Sequence, residues 1–151
     1  MSDEAAGAAT DIRVYDDATD RAQVIALWNA VFSYTSPHNL PAVSIDLKLR
    51  ADDGLFFVAV QQGQVVGTAL AGYDGHRGWL YSVAVAPAAR SRGIGTRLVR
   101  HAEQAMAARG CPKINLQILE SNAAVVAFYE RLGYVEEPRI DMGRRLDVWS
   151  A

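Results

Sequence analysis

Val83-Ala84-Val85-Ala86-Pro87 is followed, after two alanines, by Arg90-Ser91-Arg92-Gly93-Ile94-Gly95-Thr96. The first run is a strand ended by proline. The second opens an amphipathic helix in which Leu98, Val99, Ala102, Ala105 and Met106 recur at helical spacing, with Arg97, Arg100, Glu103 and Gln104 on the other side. Two glycines one residue apart stand at the junction, so backbone N–H groups can approach a ligand without Cβ obstruction. A helix start carries about four unsatisfied N–H groups and a positive dipole end. With arginines on its flank, that junction suits a pyrophosphate. The glycine spacing taken alone fits equally a tight turn with surface arginines. A Walker loop is excluded, because it needs a Gly-Lys pair and the two lysines are Lys48 and Lys113. The dinucleotide fingerprint fails as well: Leu98 stands where its third small residue belongs, and hairpins rather than crossovers join the preceding strands.

Upstream, Leu55–Gln61, Val65–Tyr73 and Trp79–Ala86 read as strands separated by Gln62-Gly63 and by Asp74-Gly75-His76-Arg77-Gly78. Both separators are hairpin chemistry, so the three strands are expected as antiparallel neighbours. Their nearly continuous apolar runs suggest a sheet covered on both faces. Before them come a short strand, Ile12–Tyr15, a helix capped by Asp17 or Thr19 and ended near Ser36-Pro37, and a second helix from Pro41 to about Ala51. After the arginine-rich helix, Ile114, Leu116 and Ile118 alternate along a strand, Asn122 caps a last helix stopped by Gly133, and Tyr134 to about Val148 reads as a terminal strand pair around Pro138. The order is β-α-α-β-β-β-α-β-α-β-β: an α/β (α+β) fold with a central mixed sheet flanked by helices.

The 151 residues suit one domain over 11–151, preceded by an Ala-rich tail, 1–10. A lone cysteine excludes an internal disulfide framework and favours a reducing, cytoplasmic setting. The N-terminus lacks the basic and apolar regions of a secretory signal, and no apolar run approaches the ~20 residues that span a bilayer. A net charge of −2 and a pI near 5.9 argue against nucleic acid or a membrane as partner. Positive charge is nevertheless uneven. Thirteen of the fifteen basic residues are arginine, and Arg90, Arg92, Arg97 and Arg100 fall within eleven positions. A local basic cluster on an acidic chain suits a small anionic ligand.

On these residues the chain resembles the GNAT acetyltransferase family. Arg90 to Gly95 fits that family's Gln/Arg-x-x-Gly-x-Gly/Ala motif, behind a strand ending Val-x-Val-x-Pro. Downstream, Asn122, Tyr129, Gly133 and Tyr134 resemble its Asn, Tyr and Gly-Phe/Tyr block. The two blocks stand in the family's order, about one helix and one strand apart, and the resemblance covers about Ile12 to Leu146. Gly72–Gly78 and Ala108–Ile114 look most like its small single-domain bacterial YpeA-type members. The resemblance implies acetyl-CoA as donor and co-substrate, and direct transfer to an amine. It implies that the backbone of Val83, Ala84 and Val85 holds the pantetheine arm as an added strand would, one N–H polarising the thioester carbonyl. Arg90 and the Ser91, Arg92, Gly93, Ile94, Gly95 and Thr96 stretch would cradle the pyrophosphate. Asn122 would lie by the pantetheine, and Tyr129 would act as general acid beside the sulfur.

Asn122 and Tyr129 are seven apart, two turns along one helix face, which suits that pairing and also suits a cap and a core aromatic. Some family members place a glutamate as general base on the strand before the Asn block. Here that position is Gln117, so Glu120, Asp74 and His76 become the candidates for the base. His38, His76 and His101 have no metal-binding spacing. Cys111 reads as an ordinary buried or boundary thiol rather than a nucleophile. Trp28, Tyr34, His38, Asp74, His76 and Tyr81 are candidates for an acceptor pocket. The expected function is an N-acetyltransferase, monomeric or homodimeric, acting on a peptide, protein or small-molecule primary amine. The alternative is a non-catalytic acyl-CoA-binding regulatory module, which needs Arg90–Thr96 but not Tyr129.

Overall fold

The computed structural model describes residues 9–34 and 37–146. They form two compact units that divide between Leu116 and Gln117. The first holds a five-stranded sheet in the order β1 (Thr10–Val14), β2 (Phe56–Gln61), β3 (Gln64–Tyr73), β4 (Gly78–Val85), β5 (Ile114–Leu116). The first four are antiparallel neighbours and β5 joins β4 in parallel, giving the expected mixed sheet. Of the expected tail, residues 1–8 lie outside the described residues, and Thr10 already pairs with Gln61. Gln62 (φ 49°) and Gly63 (φ 76°) both take positive φ between the paired Gln61 and Gln64, the type I′ geometry that matches strand twist.

Strand alternation is explicit in two adjacent phenylalanines. Phe56 stacks between Tyr15 and Trp28, at 4.1 and 5.9 Å, on the face covered by α1 (Asp17–Val31) and α2 (Pro41–Ala51). Phe57 meets His101 edge-on at 4.7 Å on the face covered by α3 (Ile94–Ala107). Leu98, Val99, Ala102 and Met106 turn the buried side of α3 to the sheet, as their spacing predicts. Burial of each large side chain there contributes roughly 1.5–3 kcal/mol.

The second and third helices start as expected, at Pro41 and after Gly93, whereas the first differs. Asp16, not Asp17 or Thr19, caps α1, its carboxylate accepting from Ala18 N–H. Asp20 instead turns inward and takes both guanidinium nitrogens of Arg13, at 2.6 and 2.9 Å, tying β1 to α1. Arg13 is also the main reason its carboxyl is held below the usual range. Ile118 lies beyond the short β5.

In the second unit, α4 (Ala123–Arg131) ends in a glycine-closed turn. Gly133, at φ 98°, donates to Glu130 O while Tyr134 N–H donates to Tyr129 O. The expected terminal strand pair is not formed: no strand follows α4 among the described residues, and 147–151 lie outside them. Pro138 has no N–H for a ladder, and a tight turn from Arg139 N–H to Glu137 O encloses it. Val135, Ile140, Met142 and Leu146 stay exposed.

Candidate active site

The site expected from sequence begins on β4. Its pairing with β5 covers only Gly78–Leu80. Tyr81–Val85 has β3 on one side and, among the described residues, no strand on the other. A bulge marks the change: the β3–β4 register slips between Thr68/Ala84 and Leu70/Tyr81, so Ser82 and Val83 together oppose Ala69. Ser82 takes φ 47° there. Beyond the bulge Ala86 N–H donates to Val66 O, and strand alternation then turns the N–H groups of Val83 and Val85 away from β3, onto the open edge.

The chain then crosses a short turn, Pro87–Ala89, to α3. Ser91 (φ 64°) and Gly93 (φ 78°) lie left-handed on either side of Arg92, a way for a backbone to turn consecutive N–H groups toward one point. Gly93 is the N-cap residue, with no capping side chain and no acid in the first turn. The N–H groups at this helix start are therefore not occupied by a cap. A Cβ built on Gly93 would meet nothing within 4 Å, so the surface above it is open. Ile94 is placed by packing: it is buried, and a Cβ on Gly67 would lie 2.8 Å from Leu98 Cδ1 and 3.5 Å from Ile94 Cγ2, so glycine there lets α3 settle against β3. Arg90 Nε donates to Val85 O at 3.2 Å. Neither Arg90 nor Arg92 forms an ion pair among the described residues. Thus Val83–Val85, Arg90, Ser91, Arg92, Gly93, Ile94, Gly95 and Thr96 form one continuous strip: an open strand edge leading to an uncapped, basic helix start.

The expected pocket residues divide. Trp28 is 1% exposed and belongs to the core, its indole N–H donating to Thr68 Oγ1, so it does not line an acceptor pocket. Asp74 is committed to its own hairpin, accepting from the N–H groups of His76 (2.8 Å) and Arg77 (2.7 Å). Those two bonds hold its carboxyl below the usual range, which makes it a poor base. His76 is exposed in the same loop, and the side chain of His38 lies outside what the structure describes. Tyr34 has a buried hydroxyl with no partner among the described residues. Tyr81, 41% exposed, stands where β4 leaves β5. Burial pushes its phenol up to about 12. The ammonium of Lys48 lies 5.9 Å from its ring centre, paired with Asp53 and the carbonyl of Ala71. Buried Lys48 and Thr68 were not expected from sequence; each is a polar residue inside an apolar pattern, the one signal that marks them.

In the second unit, Glu120 and Asn122 are exposed. Asn122 holds the N-cap position, yet its side chain makes no capping bond, so the expected cap is a cap by position only. Tyr129 is buried against Phe128 and Tyr134, with ring centres at 4.9 and 5.6 Å. Burial raises its phenol to about 12. Among the described residues no group of three His, Cys, Asp or Glu could hold a metal ion, and no helix is long and apolar enough to cross a membrane.

This strip carries the motif read from the sequence, and the model of the acetyltransferase (GNAT) family matches residues 21–134, which span it. The chain belongs to the GNAT acetyltransferase family. This acetyltransferase is 41% identical over 138 residues to Acetyltransferase YE1169 of Yersinia enterocolitica, covering 91% of this chain and 96% of that one. Its fold is similar to that of aminoglycoside N-acetyltransferase AAC(6')-Iy, solved in complex with CoA, at a TM-score of 0.75 and 21% identity over 93% of this chain and 97% of that one. An acetyltransferase structure from Agrobacterium tumefaciens is similar at a TM-score of 0.70 and 27% identity, over 89% and 99%. The first structural likeness shows the fold. Family membership decides between the two functional expectations: the chain is an enzyme, an acetyltransferase.

Proposed function

We propose that this acetyltransferase moves an acetyl group from acetyl-CoA to a primary amine by direct attack. The observation that carries the reading is the continuous strip from the open edge of β4 to the uncapped start of α3. Val83 and Val85 offer N–H groups to an extended pantetheine arm, and one of them polarises the thioester carbonyl. The N–H groups from Ser91 to Thr96, with Arg90 and Arg92, take the pyrophosphate. The amine nitrogen attacks the carbonyl carbon, the C–S bond breaks as the tetrahedral oxyanion collapses, and the sulfur leaves with the bond electrons. Tyr129 supplies a hydroxyl to that sulfur. A phenol near 12 facing a thiol near 8.5 makes complete proton transfer uphill by about 5 kcal/mol, so its role is hydrogen-bond donation. Glu120 takes the proton from the amine, directly or through water, since Gln117 cannot and Asp74 is occupied. Asn122, with its amide unused by the helix, contacts the pantetheine. The reading includes a cytoplasmic setting, a monomer or homodimer, and a peptide, protein or small-molecule amine as acceptor.

Two measurements test it. An initial-rate screen of amine panels with a free-thiol readout should find acceptors that release thiol above the no-amine background. Calorimetry should give Gly93→Val at least tenfold weaker acetyl-CoA binding, since a side chain would stand where backbone meets phosphate. The left-handed φ of Gly93 adds a strain of about 1–2 kcal/mol, so thermal unfolding must accompany the titration. Unchanged affinity in a folded Gly93→Val protein rejects the pyrophosphate site.

A further inference from the structure

The Ser82–Val83 bulge is held by a polar relay that starts in the core, on another element. Trp28 Nε1, on α1, lies 2.9 Å from Thr68 Oγ1 on β3, and that oxygen lies 2.8 Å from the carbonyl oxygen of Ser82 on β4. The direction of the relay is forced. An indole N–H only donates and a backbone carbonyl only accepts, so the hydroxyl must accept from Trp28 and give its single proton to Ser82. Thr68 is 0% exposed, in a strand whose neighbours on both sides are apolar. Burying the Trp28 N–H and the Thr68 hydroxyl in such a core is costly unless both are paired, and here both are. The relay also holds Ser82 at φ 47°, a conformation its side chain disfavours.

We infer that Thr68, oriented by Trp28, is the positioning residue that aims the Val83 N–H at the thioester carbonyl; this rests on the acetyl-transfer reading above. The Ser82 C=O and the Val83 N–H belong to one planar trans peptide and point opposite ways. Fixing the carbonyl on Thr68 therefore fixes the N–H away from β3, on the open edge. The relay lets a core tryptophan set the direction of one backbone donor several ångströms away, without touching the ligand.

The test reads the donor's effect on the carbonyl itself. Carbonyl-labelled acetyl-CoA (carbon-13) is bound to the folded enzyme and its thioester stretch followed by isotope-edited difference infrared spectroscopy. The wild type should shift the stretch to lower frequency than in water. Thr68→Val keeps the shape but deletes the hydroxyl; it should lose most of that shift, bind acetyl-CoA within about threefold of wild type, and lower kcat at least tenfold with any acceptor the amine screen finds. Thr68→Ser should restore the shift. A merely structural Thr68 would change the unfolding temperature and leave the frequency of bound acetyl-CoA alone, and that result overturns the inference. If Thr68→Val does not fold, Trp28→Phe, which leaves the hydroxyl but frees its orientation, decides in the same way: an unchanged stretch overturns the proposal. A wild type that does not bind acetyl-CoA fails the functional reading itself, and the inference with it.

Discussion

Gly78–Leu80 lies between β3 and β5, whereas Tyr81–Val85 lies against β3 with its other edge open. The first half of β4 is packed to the limit. A Cβ on Gly78 would come within 2.7 Å of Cys111 Sγ, 2.8 Å of Met106 Sδ and 3.1 Å of Ile114 Cγ1. The second half begins at a bulge and leaves a row of backbone donors unused by any strand. One strand is thus core at one end and, at the other, the edge proposed to bind the donor. Stability is invested where β5 pairs, and the chemistry proposed here occupies the stretch where it does not.

Proline scanning breaks this contrast most sharply. Leu80→Pro removes a ladder N–H and a buried side chain from the paired half, and should destabilise the fold by on the order of 3–5 kcal/mol, read by urea unfolding. Val85→Pro removes an N–H that faces the open edge. It should cost at most about 1 kcal/mol yet weaken acetyl-CoA binding severalfold by calorimetry. Equal destabilisation by the two prolines would mean that the open edge is not open.

Tyr129→Phe asks whether chemistry can be removed while fold and binding stay. It should leave acetyl-CoA affinity within a few-fold and lower kcat by roughly ten- to a thousandfold. The same variant has a pH signature. Burial holds the folded phenol near 12, above its ordinary 10, so the unfolded chain loses this proton first as pH rises. The associated stability is intact below pH 10 and is lost toward pH 12, by about 3 kcal/mol, and Tyr129→Phe should flatten that alkaline decline.

Two smaller effects refine the picture. Gly78→Ala, by overpacking the closed half, should cost about 1–3 kcal/mol in unfolding free energy with acetyl-CoA affinity unchanged in the folded protein. Arg92→Gln, at the far end of the open strip, should weaken acetyl-CoA binding two- to fivefold and reduce its dependence on added salt, without altering the unfolding temperature.

Much of this architecture could be read from local chemistry. Gln62-Gly63 specifies a hairpin because both positions need positive φ, and the periodicity of Leu98, Val99, Ala102 and Met106 fixes which side of α3 is buried. Gly93, also at positive φ, marked the helix start for the same local reason. What stayed hidden depends on partners distant in sequence. A bulge at Ser82 needs Thr68 and Trp28, fourteen and fifty-four residues away, and no spacing rule joins them. Trp28 looked like a pocket aromatic because its type cannot reveal that its N–H already has an acceptor in the core. A terminal strand pair was expected from Tyr134 to about Val148, but pairing requires a neighbouring strand and a continuous ladder, and Pro138 has no N–H to give one.

The preference for arginine over lysine acquires a meaning once the proposed donor is considered as a reagent. A thioester acylates any accessible unprotonated amine, including those of the protein that carries it. Guanidinium groups are not nucleophiles at physiological pH. Thirteen of the fifteen cationic side chains, Arg90 and Arg92 of the proposed strip among them, are therefore inert toward the donor, and one of the two lysines, Lys48, is 7% exposed and ion-paired to Asp53. Incubation with acetyl-CoA should leave Lys48 unacetylated in the folded protein. The charge that would gather the donor is built from side chains the donor cannot consume.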